Sequence, residues 1–125
     1  MSVFFAINTS DPKLVKYQLT RVHLFSILSK GNMQSIVCLS RNAQKELNKI
    51  PRHILIQFDL WVEVIETEGF TAMQKVKGYR DHALKGNRKE QRSSSLSRSW
   101  RIIYILREDT NTVDVEVLEI NHHEY

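Results

Sequence analysis

The chain has 125 residues, 42% of them hydrophobic and 26% charged, with a formal net charge of +4, the proportions of one ordinary globular domain. Its one cysteine, Cys38, excludes an internal disulfide framework and a multi-cysteine metal site, and fits a reducing compartment. No run approaches the 18 apolar residues of a membrane span, and the N-terminus lacks the basic and uninterrupted apolar regions of a secretory signal; the expectation is a cytoplasmic protein that engages no membrane.

Residues 1–32 read as an N-terminal extension and residues 33–125 as the main domain. In the extension, Asp11 is an N-cap with Pro12 at the first helical position. Leu14, Val15, Leu19, Val22, Phe25 and Leu28 follow as an imperfect helical stripe, closed by Gly31. One helix over about 12–30 is expected, packed on the domain edge. Ser35–Leu39 is a β-branched run and predicts a strand. Ser40 caps a helix over 41–49 that Pro51 stops. A second helix runs over 52–68, its apolar residues Ile54, Leu55, Phe58, Trp61, Val62 and Ile65 recurring at three- and four-residue steps, and ends at Gly69. The two read as a helical hairpin. A further turn of helix is expected over 71–76, then a polar loop broken by Gly78 and Gly86. Three strands follow, over 91–97, 99–107 and 113–120, the last two joined by a hairpin loop at 109–112. Consecutive C-terminal strands imply an antiparallel meander with the helical hairpin on one face. The fold class is α+β: a small antiparallel sheet, a helical hairpin on one face, and an extra N-terminal helix.

The charge is unevenly spread. Lys75–Arg101 holds nine basic residues against two acids, Asp81 and Glu90, so this segment is +7 and the remainder −3. A basic block on an otherwise acidic chain points to a polyanion, most simply nucleic acid; the bland alternative is a solvated loop.

Five short motifs occur in order: His82-Ala-Leu-Lys-Gly86, Asn87-Arg-Lys89, Arg92-Ser-Ser-Ser-Leu-Ser97, Trp100-Arg-Ile-Ile-Tyr104 and a closing His122-His-Glu-Tyr125. Together with Lys45–Pro51 and the strand Val113–Ile120, they resemble the RelE/ParE superfamily of bacterial toxins, most closely its HigB-like branch. The resemblance covers about residues 34–125. It implies a RelE-like fold and a toxin of a type II toxin–antitoxin system. It also implies a ribosome-dependent endoribonuclease that cuts messenger RNA by attack of the ribose 2′-OH on the adjacent phosphate. The reaction implied needs neither metal nor cofactor. The partners implied are the ribosome with its message and a cognate antitoxin, expected to be a helix-turn-helix protein.

That chemistry needs a group to take the hydroxyl proton, charge to stabilise the phosphorane, and an acid for the leaving oxygen. Arg101, matching the family's "WR" pair, is the candidate for the phosphate, since a guanidinium binds it as a fork; a structural ion pair is the alternative. Arg92, Lys85, Arg88, Lys89 and Lys77 are candidate RNA or phosphate contacts, weighed against ordinary exposed loop residues. His123 is the candidate general acid or base, because imidazole titrates near neutral pH. His122 is its competitor, and Tyr125 a candidate for stacking on a base or positioning the hydroxyl. A frayed polar tail is the alternative for all three. His82 reads as a loop anchor, and Cys38, Trp61 and Trp100 as packing residues. Ser95 stands where family members often carry a basic residue, which weakens the phosphate argument. Two other functions stay open: a ParE-like, non-nuclease inhibitor of DNA gyrase, and an inactive relative that only binds its antitoxin.

Overall fold

A computed structural model describes residues 3–5, 15–18, 34–108 and 112–122. In chain order it contains β1 (Val3–Phe5), β2 (Val15–Gln18), β3 (Gln34–Leu39), α1 (Arg41–Leu47), α2 (Arg52–Glu68), α3 (Phe70–Gln74), β4 (His82–Ala83), β5 (Gln91–Ser95), β6 (Trp100–Glu108) and β7 (Thr112–His122). Single 3₁₀ turns at Lys77–Tyr79 and Gly86–Arg88 flank β4. The strands form one sheet in the order β1-β2-β3-β7-β6-β5-β4.

The local signals act as their chemistry dictates. Ser40 caps α1, its Oγ accepting from the Ala43 N–H at 3.0 Å. Pro51 starts α2 with its carbonyl accepting from Ile54 and Leu55, both at 3.0 Å. Gly69 ends α2 at φ 98°, a backbone that a side chain would strain, and the chain turns directly into α3.

Two expectations change. Val15–Gln18, placed inside a helix over 12–30, is a strand: Val15 and Lys16 pair antiparallel with Leu39 and Cys38. A free edge on β3 offers ladder hydrogen bonds that outweigh the capping signal at Asp11-Pro12. The rest of the predicted helix lies outside the described residues. The sheet is also mixed, because β3 runs parallel to β7 from Gln34↔Thr112 to Leu39↔Val117. The chain after β3 has α1–α3 and three further strands in which to return, more than the crossover length a parallel pair requires.

One face of the sheet is covered by the helices. Val37 and Leu39 of β3, Val115, Val117 and Ile120 of β7, and Ile102 and Tyr104 of β6 pack there against Ile54, Phe58, Trp61, Val62 and Ile65 of α2, together with Tyr17 from β2. A chain of rings runs through this layer: Tyr17–Phe58 at 4.9 Å between centroids, Phe58–Trp61 at 5.8 Å, Trp61–Tyr104 at 5.5 Å and Phe70–Tyr104 at 5.9 Å. Trp61 is fully buried, as expected of a core residue.

A β-bulge resolves the broken alternation of the last strand. Ile103 pairs with Glu119 but Tyr104 pairs with Val117, so Leu118 is the extra residue. Without it Ile120 would face away from the core; with it both Val117 and Ile120 are buried on the helix side. Groups from α1 satisfy the bulged backbone. Ser40 Oγ donates to the Leu118 carbonyl at 3.0 Å, and Glu46 accepts from the Ile120 N–H at 3.0 Å.

Glu66, near the end of α2, accepts a hydrogen bond from the Val37 N–H at 3.4 Å. Burial pushes its carboxyl up to about 7, against the opposing effects of that N–H and of Lys16. The folded protein therefore holds a proton that the unfolded chain releases near 4.5. Stability from this group falls as pH rises from the unfolded to the folded value. Glu66→Gln keeps an acceptor and removes the titration. Its melting temperature relative to wild type should rise from pH 5 to pH 8, worth on the order of 2 kcal/mol with solvent screening. A difference that stays constant with pH would refute the assignment.

Candidate functional site

Opposed residues on paired strands share a face, and successive residues alternate. The ladder therefore assigns each side chain. Arg101 lies opposite Ser95 on one side and Asn121 on the other. Ser93 lies opposite Ile103 and His82, and Ile103 opposite Glu119. Since Ile102 and Tyr104 belong to the helix-covered layer, Arg101, Ser93, Ser95, His82, Glu119 and Asn121 occupy the other face. No described helix packs on it. Arg101 is half-buried and makes no side-chain hydrogen bond or ion pair with any described residue. His82 stands two strand spacings and two residues from it, about 12 Å between Cα atoms.

His82 is exposed, and its Nδ1 lies 2.8 Å from the Arg80 carbonyl. A carbonyl only accepts, so Nδ1 carries the proton, and the neutral ring leaves Nε2 with a lone pair. The loop-anchor reading of His82 is thus met by Nδ1, while the same bond leaves the second nitrogen available. Arg80 is the one non-glycine residue at positive φ, 46°, among the described residues.

The basic candidates divide into two groups. Lys77, Lys85 and Lys89 are exposed and have no ion pair among the described residues. Arg88 and Arg92 are engaged internally. Arg88 bonds Glu119 at 2.5 Å and Gln91 at 2.8 Å, reaching from the loop across β5 and β6 to β7. Arg92 sits on the helix side, opposite Tyr104. Its Nε and Nη2 both donate to Asp81 Oδ1, at 2.9 and 2.6 Å. The Asp81 side chain is fully buried. Its other oxygen accepts from Ser94 at 2.6 Å and from the Tyr104 hydroxyl. Burial and then the bond to Asp81 push the Tyr104 hydroxyl well above the ordinary tyrosine range.

His122 is exposed at the end of β7 and lies against Trp100, the ring centroids 5.0 Å apart. Trp100 is half-buried against the core, so it packs as expected. The Trp100↔His122 pair is one residue out of step with Arg101↔Asn121, which sets His122 on the opposite face of the sheet from Arg101. His123 and Tyr125 lie outside the described residues. Cys38 is buried, and burial, then Asp114 and Glu116, push its thiol up to about 11; it is a packing residue and not a nucleophile. Asp81 was missed by sequence reasoning. The available signal was an acid inside a segment with nine bases. Ser95 faces Arg101, so the positive charge of this face rests on Arg101 without help from β5.

No group of three or more metal-binding side chains occurs among the described residues, and no helix among them is long and apolar enough to cross a membrane. No protein-family model and no curated protein sequence matches the chain. Solved structures do. The chain is similar to YafQ from E. coli strain BL21(DE3), at 15% identity and a TM-score of 0.57, over 71% of this chain and 93% of YafQ. It is similar to a YoeB/ParE toxin from Agrobacterium tumefaciens, at 10% identity and 0.54, over 70% and 98%. The E. coli DinJ-YafQ toxin–antitoxin complex gives 17% and 0.56, over 73% and 94%. The chain has the α+β fold of these toxins.

Proposed function

We propose that the chain is the toxin of a toxin–antitoxin module and an endoribonuclease that cuts messenger RNA on the ribosome. One observation carries the reading: Arg101, with no side-chain partner among the described residues, stands on the sheet face that no described helix covers, and His82 of β4 lies on that same face, within a segment that also holds exposed lysines. Arg101 takes the scissile phosphate and stabilises the charge that builds on the phosphorane. Lys77, Lys85 and Lys89 hold the RNA backbone. The ribose 2′-OH attacks the adjacent phosphorus, its proton leaves to an imidazole, and the 5′-oxygen departs with a proton, leaving a 2′,3′-cyclic phosphate. Because the nucleophile is part of the substrate, the proposed reaction calls on no metal or cofactor. His82, with Nε2 unprotonated in its neutral form, suits the role of base. His123 is the candidate for the acid, since His122 lies on the opposite face of the sheet from Arg101, and Tyr125 is the candidate for positioning the hydroxyl. The HigB-like assignment rests on the sequence motifs. The fold shared with a protein solved in complex with DinJ supports a cognate antitoxin as partner.

The test is a cell-free translation reaction with purified protein and a defined message, read by primer extension. New 5′ ends at in-frame positions, absent without ribosomes, are expected. Intact message with continuing translation would overturn the reading and direct attention to gyrase supercoiling, the activity of the ParE-like alternative.

A further inference from the structure

We propose that Asp81 is a positioning residue: its buried carboxylate holds the Arg80–His82 backbone so that the His82 ring is locked by Nδ1–H on the Arg80 carbonyl and offers Nε2 to the open face. The bearing of this on catalysis rests on the function proposed above; the positioning itself does not.

Three side chains from two strands converge on this one carboxylate. Arg92 and Ser94 come from β5 and Tyr104 from β6, and they supply four hydrogen bonds. A fully buried carboxylate is costly unless its lone pairs are filled, and here they are filled from the helix-covered side. Alternation then sends the next side chain, His82, to the other side. Asp81 grips the sheet through its helix face, and the neighbouring residue is thereby aimed across the opposite one.

The backbone before Asp81 gives the second observation. Arg80 sits in the left-handed region, at φ 46° and ψ 42°. A non-glycine residue stays there only where its surroundings over-determine it. Its N–H bonds the Lys77 carbonyl at 3.1 Å, and its own carbonyl is thereby turned toward the His82 ring. Relaxing Arg80 would swing that carbonyl away and release Nδ1. On this account Arg92, a candidate phosphate ligand by sequence, serves the loop instead, since both donating nitrogens are committed to Asp81.

The test reads the ring directly. Long-range proton–nitrogen NMR spectra of the full chain, with His82 assigned through His82→Gln, report which ring nitrogen is protonated. Wild type is expected to hold the Nδ1-protonated form in the neutral ring. Asp81→Asn, folded by circular dichroism, is expected to lose that preference and to cut RNA roughly 10- to 100-fold more slowly at saturating ribosomes with KM little changed, the signature of misplacement. Tyr104→Phe and Ser94→Ala each remove one donor and leave the Arg92 pair; they should move the ring the same way by less, and they serve if Asp81→Asn does not fold. An Nδ1-protonated ring that persists in folded Asp81→Asn overturns the proposal, as does one that persists in both milder variants. Wild type that never cleaves RNA, with the ring shift still seen, overturns the nuclease reading and leaves the positioning intact.

Discussion

Arg101→Ala is expected to slow message cleavage about 100- to 1,000-fold, the loss found when one preorganised donor to a developing anion is removed. Arg101 makes no side-chain hydrogen bond or ion pair with any described residue, so no described residue loses a partner. A melting temperature within a few degrees of wild type is expected alongside the lost activity. Arg101→Lys keeps a charge but not the planar fork, and should recover only part of the rate. The measurement is the initial rate of appearance of new 5′ ends in cell-free translation. Cleavage by Arg101→Ala at the wild-type rate would remove Arg101 from the chemistry and return the phosphate to the exposed lysines of the loop.

Phe58→Ala should cost about 3–5 kcal/mol, a large share of the 5–15 kcal/mol that holds a typical domain together. Phe58 is fully buried, and its ring touches both Tyr17 and Trp61. Truncation opens a cavity between β2 and α2. Packing is lost on both sides, and surroundings this rigid collapse only in part. For a chain of this length the melting temperature should fall by about 10–20 °C, read by circular dichroism or calorimetry. A fall of less than about 3 °C would mean that β2 contributes little to the core, and that the ring chain is not continuous in solution.

The two longer helices were legible because their signals are local. Ser40, Pro51 and Gly69 mark their ends, and the stripe from Ile54 to Ile65 marks the buried face of α2. The strong apolar run at Trp100–Leu106 and the alternation at Val113–Val117 placed β6 and β7 for the same reason. Other features depend on partners distant in the chain. Val15–Gln18 carries a capping signal and a partial helical stripe, yet pairs with β3. The parallel pairing of β3 with β7 joins segments some 78 residues apart, as Gln34↔Thr112 shows, and no local pattern announces it. The bulge at Leu118 looked like a broken strand until the register with β6 was known.

The site was legible in part. Arg101 could be singled out from its motif, and the structure gives it an open face. Arg92 and Arg88 carry the same charge and stand in the same basic block, but Asp81 and Glu119 claim them. Composition counts charges; it does not pair them. His82 reads as an anchor in sequence because nothing there reveals that the anchor uses one ring nitrogen and leaves the other.

The place of β7 in the sheet has a consequence for synthesis. Among the described strands it alone joins β1-β2-β3 to β6-β5-β4, and it is made last. While the chain is being translated, the two halves of the sheet have no edge in common and the core between them cannot close. Pairing over such long sequence separations is slow to form. β4, β5 and β6 pair with one another, so the face that carries Arg101 and His82 needs no strand made after β6; what waits for β7 is the union of that half with β3 and the Glu119 carboxylate that Arg88 bonds.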